Sequence, residues 1–219
     1  MYKRQERDPV GYWASRDPDN AVPWLLQSER ARRRNNVPSL VENLDRASRS
    51  SRYDTYDQRA GAVVWSKVAT TTPPAERGAA ALYALGATST SGAALQALEG
   101  ACAPQSRALD ARILAACARL ASLMVERASL LSDRRAGTQI ALAIASGERD
   151  RSSSAEQARN VVAQQDRCRE AVQGLQAAAV GTAEQRQRAA TLGEQFVTSR
   201  AREGEASACE ALGKAAAVR

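Results

Sequence analysis

Apolar residues recur along the chain at the three- and four-residue spacing of α-helices. The first clear case is formed by Leu40, Val41, Leu44 and Ala47, which would share one face of a helix. A longer case covers residues 109–131, where apolar side chains continue on the same spacing. Its members are Ile113, Leu114, Cys117, Leu120, Leu123, Met124 and Leu131. The pattern predicts an all-α fold.

Capping and turn residues divide the first part of this pattern into two helices. Asn20 can cap the free N–H groups of the helix that follows it, and Pro23 fits the first turn, which needs no donor. The Asn-Asn pair at 35–36 interrupts this helix, because asparagine tolerates the left-handed conformation. Pro38 then begins the second helix. Residues 21–54 therefore predict one helix-turn-helix unit.

Further apolar stretches predict helices up to residue 146. They cover residues 53–67, 75–85, 93–99, 109–131 and 137–144. The apolar face of the first of these would be formed by Tyr56, Ala60, Val63, Val64 and Trp65.

A charged, serine-rich stretch at 147–153 has the composition of a linker between domains. Ser153 and Glu156 have the spacing of a capping box, which predicts that a new helix begins there. The sequence thus favours a helical domain over residues 6–146, a linker over 147–153 and a helical hairpin over 154–219.

The C-terminal hairpin is indicated by a narrow seam that steps alternately by four and three residues, as in coiled coils. The seam consists of Val161, Gln165, Cys168, Val172, Leu175 and Ala179. Gly181 ends this helix, and Thr182 with Gln185 has the spacing of a second capping box at the start of a return helix. The apolar positions of the return helix are Ala189, Leu192 and Phe196.

The chain has four cysteines, Cys102, Cys117, Cys168 and Cys209. An even number at wide spacing suits two disulfides in an exported protein, and buried free thiols in alanine-rich helices are the alternative. In an antiparallel hairpin Cys168 lies opposite Gln195 rather than Cys209, a mismatch of roughly 20 Å. A Cys168–Cys209 bond therefore requires the chain to bend again, and we expect this bend at residues 203–204.

Composition narrows the classes of function. Alanine supplies 46 of the 219 residues and aromatic residues only 4%, which favours helices and argues against all-β folds. The chain contains no histidine, which is the commonest general base and a common zinc ligand. The GxSxG, GxxxxGK(S/T) and GxGxxG motifs are absent as well. The sequence therefore predicts a non-enzymatic protein with no catalytic residues, no metal site and no cofactor.

The net charge of +7 comes from arginine, which supplies 28 of the 31 basic residues. This charge is spread along the chain, whereas nucleic-acid-binding proteins usually concentrate it on one face or tail. The one dense run, Arg30 with residues 32–34, falls near the predicted C-terminal end of a helix, where cations are favourable. The sequence disfavours nucleic-acid binding. A basic surface that binds nucleic acid or an anionic envelope polymer remains the alternative function.

One uncharged stretch is long enough to be considered as a transmembrane segment. Residues 78–98 carry no charge over 21 positions, a length that can cross a bilayer. Their centre, 86–92, is a run of small polar residues typical of a turn. Two short helices joined by a loop explain the stretch better, so no transmembrane segment is predicted.

The helix-turn-helix unit resembles a tetratricopeptide repeat over 34 residues. The resemblance rests on the Asp-Pro-Asp-Asn lead-in at 17–20, on Trp24, on the small Ser28 and on Ala47. It departs from the family at the turn, which is Asn-Asn instead of Gly-Asp, and at Leu40, where the family has a small residue. We find no second copy in the same register, although such repeats normally need three or more copies to bury a core.

The resemblance implies antiparallel helical hairpins and a scaffold that binds a protein or peptide, without a small-molecule substrate. In tetratricopeptide units the first helix lines the binding groove. Carried over residue by residue, this gives a candidate contact row of Asn20, Val22, Leu25, Glu29, Arg32 and Arg33. The oligomeric state is left open.

Residues 12–145 are also similar to a group of uncharacterised, exported gammaproteobacterial helical proteins. The features that carry this resemblance are residues 13–24, 53–54, 76–78, Cys102 and the Cys-Ala-Arg-Leu-Ala block at 117–121. It implies a Cys102–Cys117 disulfide and a periplasmic or secreted protein, with a cytoplasmic location as the alternative.

The first five residues, Met-Tyr-Lys-Arg-Gln, resemble the translated end of a transposon-type sequencing-library adapter. On this interpretation residues 1–5 are an artefact and must be set aside before the fold is considered. The native gene would then begin upstream, the helical domain would be truncated at its N-terminus, and its signal peptide would be lost.

Overall fold

The computed structural model describes residues 8–86 and 91–217, which form twelve α-helices and one 3-10 helix. The α-helices are α1 Pro9–Arg16, α2 Ala21–Arg33, α3 Val37–Arg49, α4 Asp57–Thr71, α5 Arg77–Gly86, α6 Ser91–Cys102, α7 Pro104–Arg107, α8 Ala111–Arg127, α9 Leu131–Ile144, α10 Glu148–Ala179, α11 Ala183–Glu203 and α12 Glu205–Ala217. The 3-10 helix, Pro74–Glu76, precedes α5. Within these ranges the β-type pairing is one isolated bridge between Asn20 and Arg52. The predicted all-α class is confirmed.

The chain divides into two compact units, each assembled from separate stretches of sequence. The first unit comprises the described part of residues 1–54 together with 92–128 and 136–155. The second comprises the described parts of 55–91 and 156–219 together with 129–135. Neither unit is therefore one continuous segment.

The helix-turn-helix at the start of the first unit begins at Ala21, directly after the predicted cap, and its second helix begins at Val37, one residue before the predicted start. Asn20 Oδ1 accepts a hydrogen bond from the Val22 N–H at 3.2 Å, at the N-terminus of α2. Asn35 has φ +53°, the left-handed conformation expected of this turn. Asn36 Oδ1 accepts from the Ser39 N–H at 3.1 Å and caps α3. The two helices pack against each other.

The core of the first unit draws on α2, α3, α6, α8 and α9. From α3 come the four residues of its predicted apolar face, Leu40, Val41, Leu44 and Ala47, all buried. From α8 come Ile113, Cys117, Leu120 and Met124, each fully buried. Leu109 and Leu114 share the predicted apolar spacing but are 57% and 42% exposed. Only part of the predicted face in 109–131 thus reaches the core.

The helix predicted over residues 53–67 begins later, at Asp57. Tyr56 has φ +61°, so the chain turns in the left-handed conformation directly before α4. The predicted apolar face is only partly correct, since Trp65 is buried whereas Val63 is 62% exposed. In the second unit α4 packs against α5 and α11. This packing selects the buried face, which hydropathy along one helix does not specify.

The helix predicted over residues 109–131 is two helices, α8 and α9. The break begins at Ala128, which has an extended conformation with ψ 136°. The Ser129 carbonyl accepts hydrogen bonds within the second unit from the Glu205 N–H at 2.9 Å and from Gln58 Nε2 at 2.9 Å. These partners satisfy the carbonyl in place of a helical hydrogen bond and fix the break.

The stretch predicted to be a linker, residues 147–153, is helical from Glu148 onwards. The helix start predicted at Ser153 is wrong, because Ser153 lies in the second turn of α10. Glu148 and Asp150 are in the first turn, where acidic side chains interact favourably with the helix dipole. The charges of this stretch therefore support the start of a helix.

The C-terminal helices keep the predicted seam and cap. Val161, Cys168 and Leu175, spaced by seven residues along α10, are buried. Thr182 and Gln185 form the predicted capping box at the start of α11. Within the second unit α11 packs against α5, α12 and α4. A simple hairpin of α10 with α11 stays a prediction.

Small residues let α5 and α11 approach closely. A Cβ atom at Gly193 would lie 3.2 Å from Ala81 Cβ, and one at Gly78 would lie 3.1 Å from the Ala189 carbonyl carbon. Ala81 and Ala189 are themselves fully buried. Larger side chains at the glycines would push the two helices apart.

The four cysteines form two pairs at disulfide distance. The Cα atoms of Cys102 and Cys117 are 5.8 Å apart within the first unit, the pairing that the sequence resemblance implies. Those of Cys168 and Cys209 are 4.8 Å apart within the second unit. The bend that this pair requires lies at Gly204, which has φ +88° and separates α11 from α12.

Candidate functional site

The six residues of the predicted contact row start at the cap of α2 and follow that helix, but they do not form one exposed surface. Asn20, Val22 and Leu25 are at most 2% exposed. Val22 and Leu25 belong to the core of the first unit. Asn20 Nδ2 donates to Asp17 Oδ2 at 2.9 Å and to the Asp54 carbonyl at 2.8 Å. These three side chains are enclosed by the fold and cannot touch a partner in this conformation.

The other three residues of the row form an ion-paired group outside the core. Glu29 accepts hydrogen bonds from Arg32 at 2.7 and 2.9 Å and from Arg33 Nε at 2.7 Å. The hydrogen bond from Arg32 is the main cause that lowers the pKa of Glu29. The two guanidinium groups therefore share one carboxylate partner and neutralise part of their charge on it.

A polar groove lies nearby, where α1, α2 and α3 come together. Its volume is about 710 Å³. The lining residues are Asp8, Pro9, Gln27, Arg30, Ala31, Arg34, Asn36, Ser39 and Asn43. None of the six predicted contact residues is among them.

Helix caps fix one wall of this groove. Asp8 Oδ1 accepts a hydrogen bond from the Gly11 N–H at 3.0 Å and caps α1. The same carboxylate forms an ion pair with Arg30 of α2. The Gly11 hydrogen bond, followed by the contact with Arg30, lowers the pKa of Asp8. Asp8 thus joins α1 to α2 while it keeps a negative charge at the rim.

Three other lining side chains are uncommitted. Gln27, Asn43 and Arg34 make no side-chain hydrogen bond or ion pair with another described residue. With Arg30 and Arg34 against Asp8, the ionised side chains of the lining sum to one positive charge. Among the residues that the structure describes, the groove therefore presents the unbonded amides of Gln27 and Asn43 and the unpaired guanidinium of Arg34.

In the sequence, Arg34 stands out only as part of the basic run, and no pattern distinguishes Gln27 or Asn43. A signal for the groove exists on α2, because residues 27, 30, 31 and 34 follow helical spacing on one face. That face flanks the buried one, and hydrophobic periodicity marks only the buried one. The contribution of α3 to the groove depends on the fold and leaves no such signal.

Across 8–86 and 91–217, no three His, Cys, Asp or Glu side chains are grouped so that they could hold a metal ion. None of the helices in those ranges combines the length and the apolar character that a bilayer crossing requires.

Comparison with known proteins gives no match, since no protein family, no curated protein and no solved structure is significantly similar to the chain.

Proposed function

We propose that this protein is a non-enzymatic helical scaffold and that the groove of its first unit binds an acidic peptide segment of a partner protein. One observation carries the proposal. The groove combines a guanidinium that has no ion pair among the described residues, Arg34, with the uncommitted amides of Gln27 and Asn43.

The amides favour a peptide over a small apolar ligand. Each carboxamide offers both donors and an acceptor, the same pair of functions that every peptide unit of an extended chain presents. Small-molecule sites are lined mainly by apolar and aromatic side chains. Here Pro9 and Ala31 are the apolar members of a lining that is otherwise polar. Such a groove suits a hydrogen-bonding chain.

The charge of the lining favours an acidic segment. A guanidinium binds carboxylates through two parallel hydrogen bonds, and Arg34 is exposed and available for such a pair. Asp8 remains paired with Arg30. A partner carboxylate would therefore meet a net positive groove, whereas a basic peptide would be repelled by Arg34.

The alternative function, binding of an anionic polymer, has less support. Within the dense basic run, Arg30 is paired with Asp8, and both Arg32 and Arg33 are paired with Glu29. Polymer binding gains its strength from several basic groups that neutralise phosphates or sulfates together. Salt-sensitive retention on immobilised heparin at about 0.15 M salt would favour this alternative over the peptide groove.

The cysteine pairs support an oxidising compartment. Both pairs lie at disulfide distance, and disulfides persist chiefly in exported proteins. We therefore place the protein in the periplasm or outside the cell as part of the same proposal.

The test is binding of the full chain to an array of short peptides that samples acidic, neutral and basic compositions equally. Three variants are compared with the wild type: Arg34→Glu, the double variant Gln27→Ala/Asn43→Ala, and Arg149→Glu. Arg149 is an exposed residue of α10 outside the groove lining. It therefore matches the charge change of Arg34→Glu without altering the groove.

We expect acidic peptides to be enriched among the bound ones. Arg34→Glu should weaken this binding about tenfold or more, which corresponds to the loss of one charge-assisted contact. The amide double variant should weaken it about tenfold, which corresponds to the loss of one or two neutral hydrogen bonds. Arg149→Glu should leave it unchanged. Equal losses for Arg34→Glu and Arg149→Glu, or binding without preference for acidic peptides, would overturn the proposal.

A further inference from the structure

The second unit encloses a carboxyl group that lacks a full set of partners. Asp133, in the first turn of α9, is 1% exposed. Its Oδ1 atom is buried and has no hydrogen-bond partner among the described residues. A buried carboxylate without partners is strongly disfavoured relative to the neutral acid. Asp133 is not among the residues that line the groove of the first unit.

The charges that face Asp133 come from other helices of the second unit. Asp57 of α4 and Glu205 of α12 both act on it electrostatically with their negative charges. Glu205 Oε1 accepts from Arg200 of α11 at 2.9 Å, and its Oε2 accepts from the Leu131 N–H at 2.8 Å. The positive charge of Arg200 is thus engaged by Glu205.

Two further charged residues lie on the same helix as Asp133. Arg134 and Arg135 follow it in the chain, and Arg135 donates to Gln165 of α10 at 3.3 Å. Burial first, and then the charges of Asp57 and Glu205, raise the pKa of Asp133 to about 7. Geometry and charge therefore both favour the protonated side chain.

Asp133 belongs to the segment 129–135, which the second unit takes from the middle of the chain. Glu205 holds this segment through its N–H, which donates to the Ser129 carbonyl, and through its carboxylate, which accepts from the Leu131 N–H. Leu131 is 1% exposed and lies in an apolar cluster with Phe196. The residue that anchors the segment is therefore also one that repels an ionised Asp133.

We propose that Asp133 is a proton-dependent latch, which keeps segment 129–135 docked in the second unit while its carboxyl group is protonated and loosens the segment when it ionises. In the docked state the neutral acid has no charge for Asp57 and Glu205 to repel. When the proton passes to water, the carboxylate is left buried beside two negative groups. Movement of the segment towards solvent relieves both the desolvation and the repulsion.

The experiment is hydrogen–deuterium exchange on the full chain, with exchange times scaled for the intrinsic effect of pH. Peptides that cover 129–135 are compared at steps between about pH 5 and pH 8 in the wild type, Asp133→Asn and Asp150→Asn. Asp150 is an exposed aspartate of α10 and serves as the matched control. If one proton is lost on opening, the opening equilibrium of the segment should rise about tenfold per pH unit from pH 5 to pH 7.

We expect this rise in the wild type and in Asp150→Asn, and flat protection in Asp133→Asn. Constant protection of 129–135 in the wild type overturns the proposal, as does a pH dependence that survives in Asp133→Asn. If Asp133→Asn does not fold, NMR titration of the Asp133 carboxyl carbon in the wild type decides. A midpoint near 7 supports the latch, and one near the ordinary value of about 4 overturns it.

Discussion

Asn20 and Asp54 exchange two hydrogen bonds across 34 residues: Asn20 Nδ2 donates to the Asp54 carbonyl at 2.8 Å, and the Asp54 N–H donates to Asn20 Oδ1 at 3.1 Å. A fully buried side-chain amide thus pairs with the main chain as a neighbouring strand would. Beside this pair, the Ala21 N–H donates to the Arg52 carbonyl at 2.9 Å. The contacts tie the start of α2 to the chain that leaves α3 and close the helix-turn-helix unit.

Replacement of Asn20 by alanine should cost about 3 kcal/mol of unfolding free energy, because it removes both hydrogen bonds to the Asp54 main chain, the one to Asp17 and the cap of α2. Asn36→Ala is the matched control, since Asn36 is an exposed cap with one hydrogen bond to the Ser39 N–H. It should cost only about 1 kcal/mol. Urea unfolding followed by circular dichroism measures both. Equal costs would contradict a closing role for Asn20.

Loss of a cysteine pair should destabilise the protein, and slightly more for the pair that closes the longer loop. Removal of the Cys102–Cys117 link, with a sequence separation of 15, should cost about 3 kcal/mol. Removal of Cys168–Cys209, with a separation of 41, should cost about 4 kcal/mol. Urea unfolding of the two double Cys→Ser variants measures the difference.

The same prediction has a direct check on connectivity. Mass spectrometry of non-reduced peptides from protein made in the periplasm should show Cys102 linked to Cys117 and Cys168 linked to Cys209. Four thiols that react with an alkylating agent before reduction would refute both links.

The stability of the second unit should fall as pH rises from about 4 to about 7. The folded-state pKa of Asp133 is raised to about 7 from its ordinary value of 3.8. Its favourable contribution is therefore complete below the unfolded-state pKa and is lost as pH passes through the folded-state one. Above about pH 7, the unfolding free energy should therefore be about 4 kcal/mol lower than it is below pH 4.

Asp133→Asn should remove most of this pH dependence and stabilise the protein at pH 8, because the amide stays neutral. Thermal unfolding at several pH values measures the effect, with Asp150→Asn as the control that should follow the wild type. A stability curve for Asp133→Asn that keeps the wild-type slope between pH 4 and 7 would contradict the assignment to Asp133.

The close approach of α5 and α11 predicts opposite effects for one substitution at two glycines. Gly193→Leu should destabilise by about 1–3 kcal/mol, because its Cβ alone would come within 3.2 Å of Ala81 Cβ. Gly174→Leu should stabilise by about 0.5 kcal/mol, because a Cβ at Gly174 in α10 would meet no atom within 4 Å and leucine favours helix. Differential scanning calorimetry distinguishes the two signs. Similar melting temperatures for both variants would show that the α5–α11 contact tolerates bulk.

The sequence by itself determined the elements whose causes lie within a few residues. The cap at Asn20, the left-handed Asn35 and the capping box at Thr182 all depend on neighbouring side chains and main-chain groups. Such interactions act over three or four positions and can be recognised without the rest of the fold. The all-α class follows from the same local preferences.

Composition and hydrophobic periodicity predicted the helix bounds and buried faces less well where a segment contacts distant parts of the chain. The serine-rich stretch before Ser153 has the composition of a loop, yet it extends α10. The helix predicted through Ser129 is broken because its carbonyl is satisfied by Gln58 and Glu205, which lie 71 and 76 residues away. Val63 fits an apolar face but is exposed, because the packing of α4 buries a different side.

Only the tertiary structure decided which groups are free to act. It buries Asn20, Val22 and Leu25 and pairs Arg32 and Arg33 with Glu29. The residues of the predicted contact row are therefore either buried or ion-paired within the chain. The tertiary structure leaves Gln27, Asn43 and Arg34 around one groove with no side-chain partner in the described part of the chain, and it buries Asp133 beside two other carboxylates. The physical reason is that burial and pairing are properties of surfaces that meet from distant parts of the chain. A local pattern indicates which secondary structure a segment can form. The packing of all segments together determines which of its side chains remain exposed and free to bind a partner.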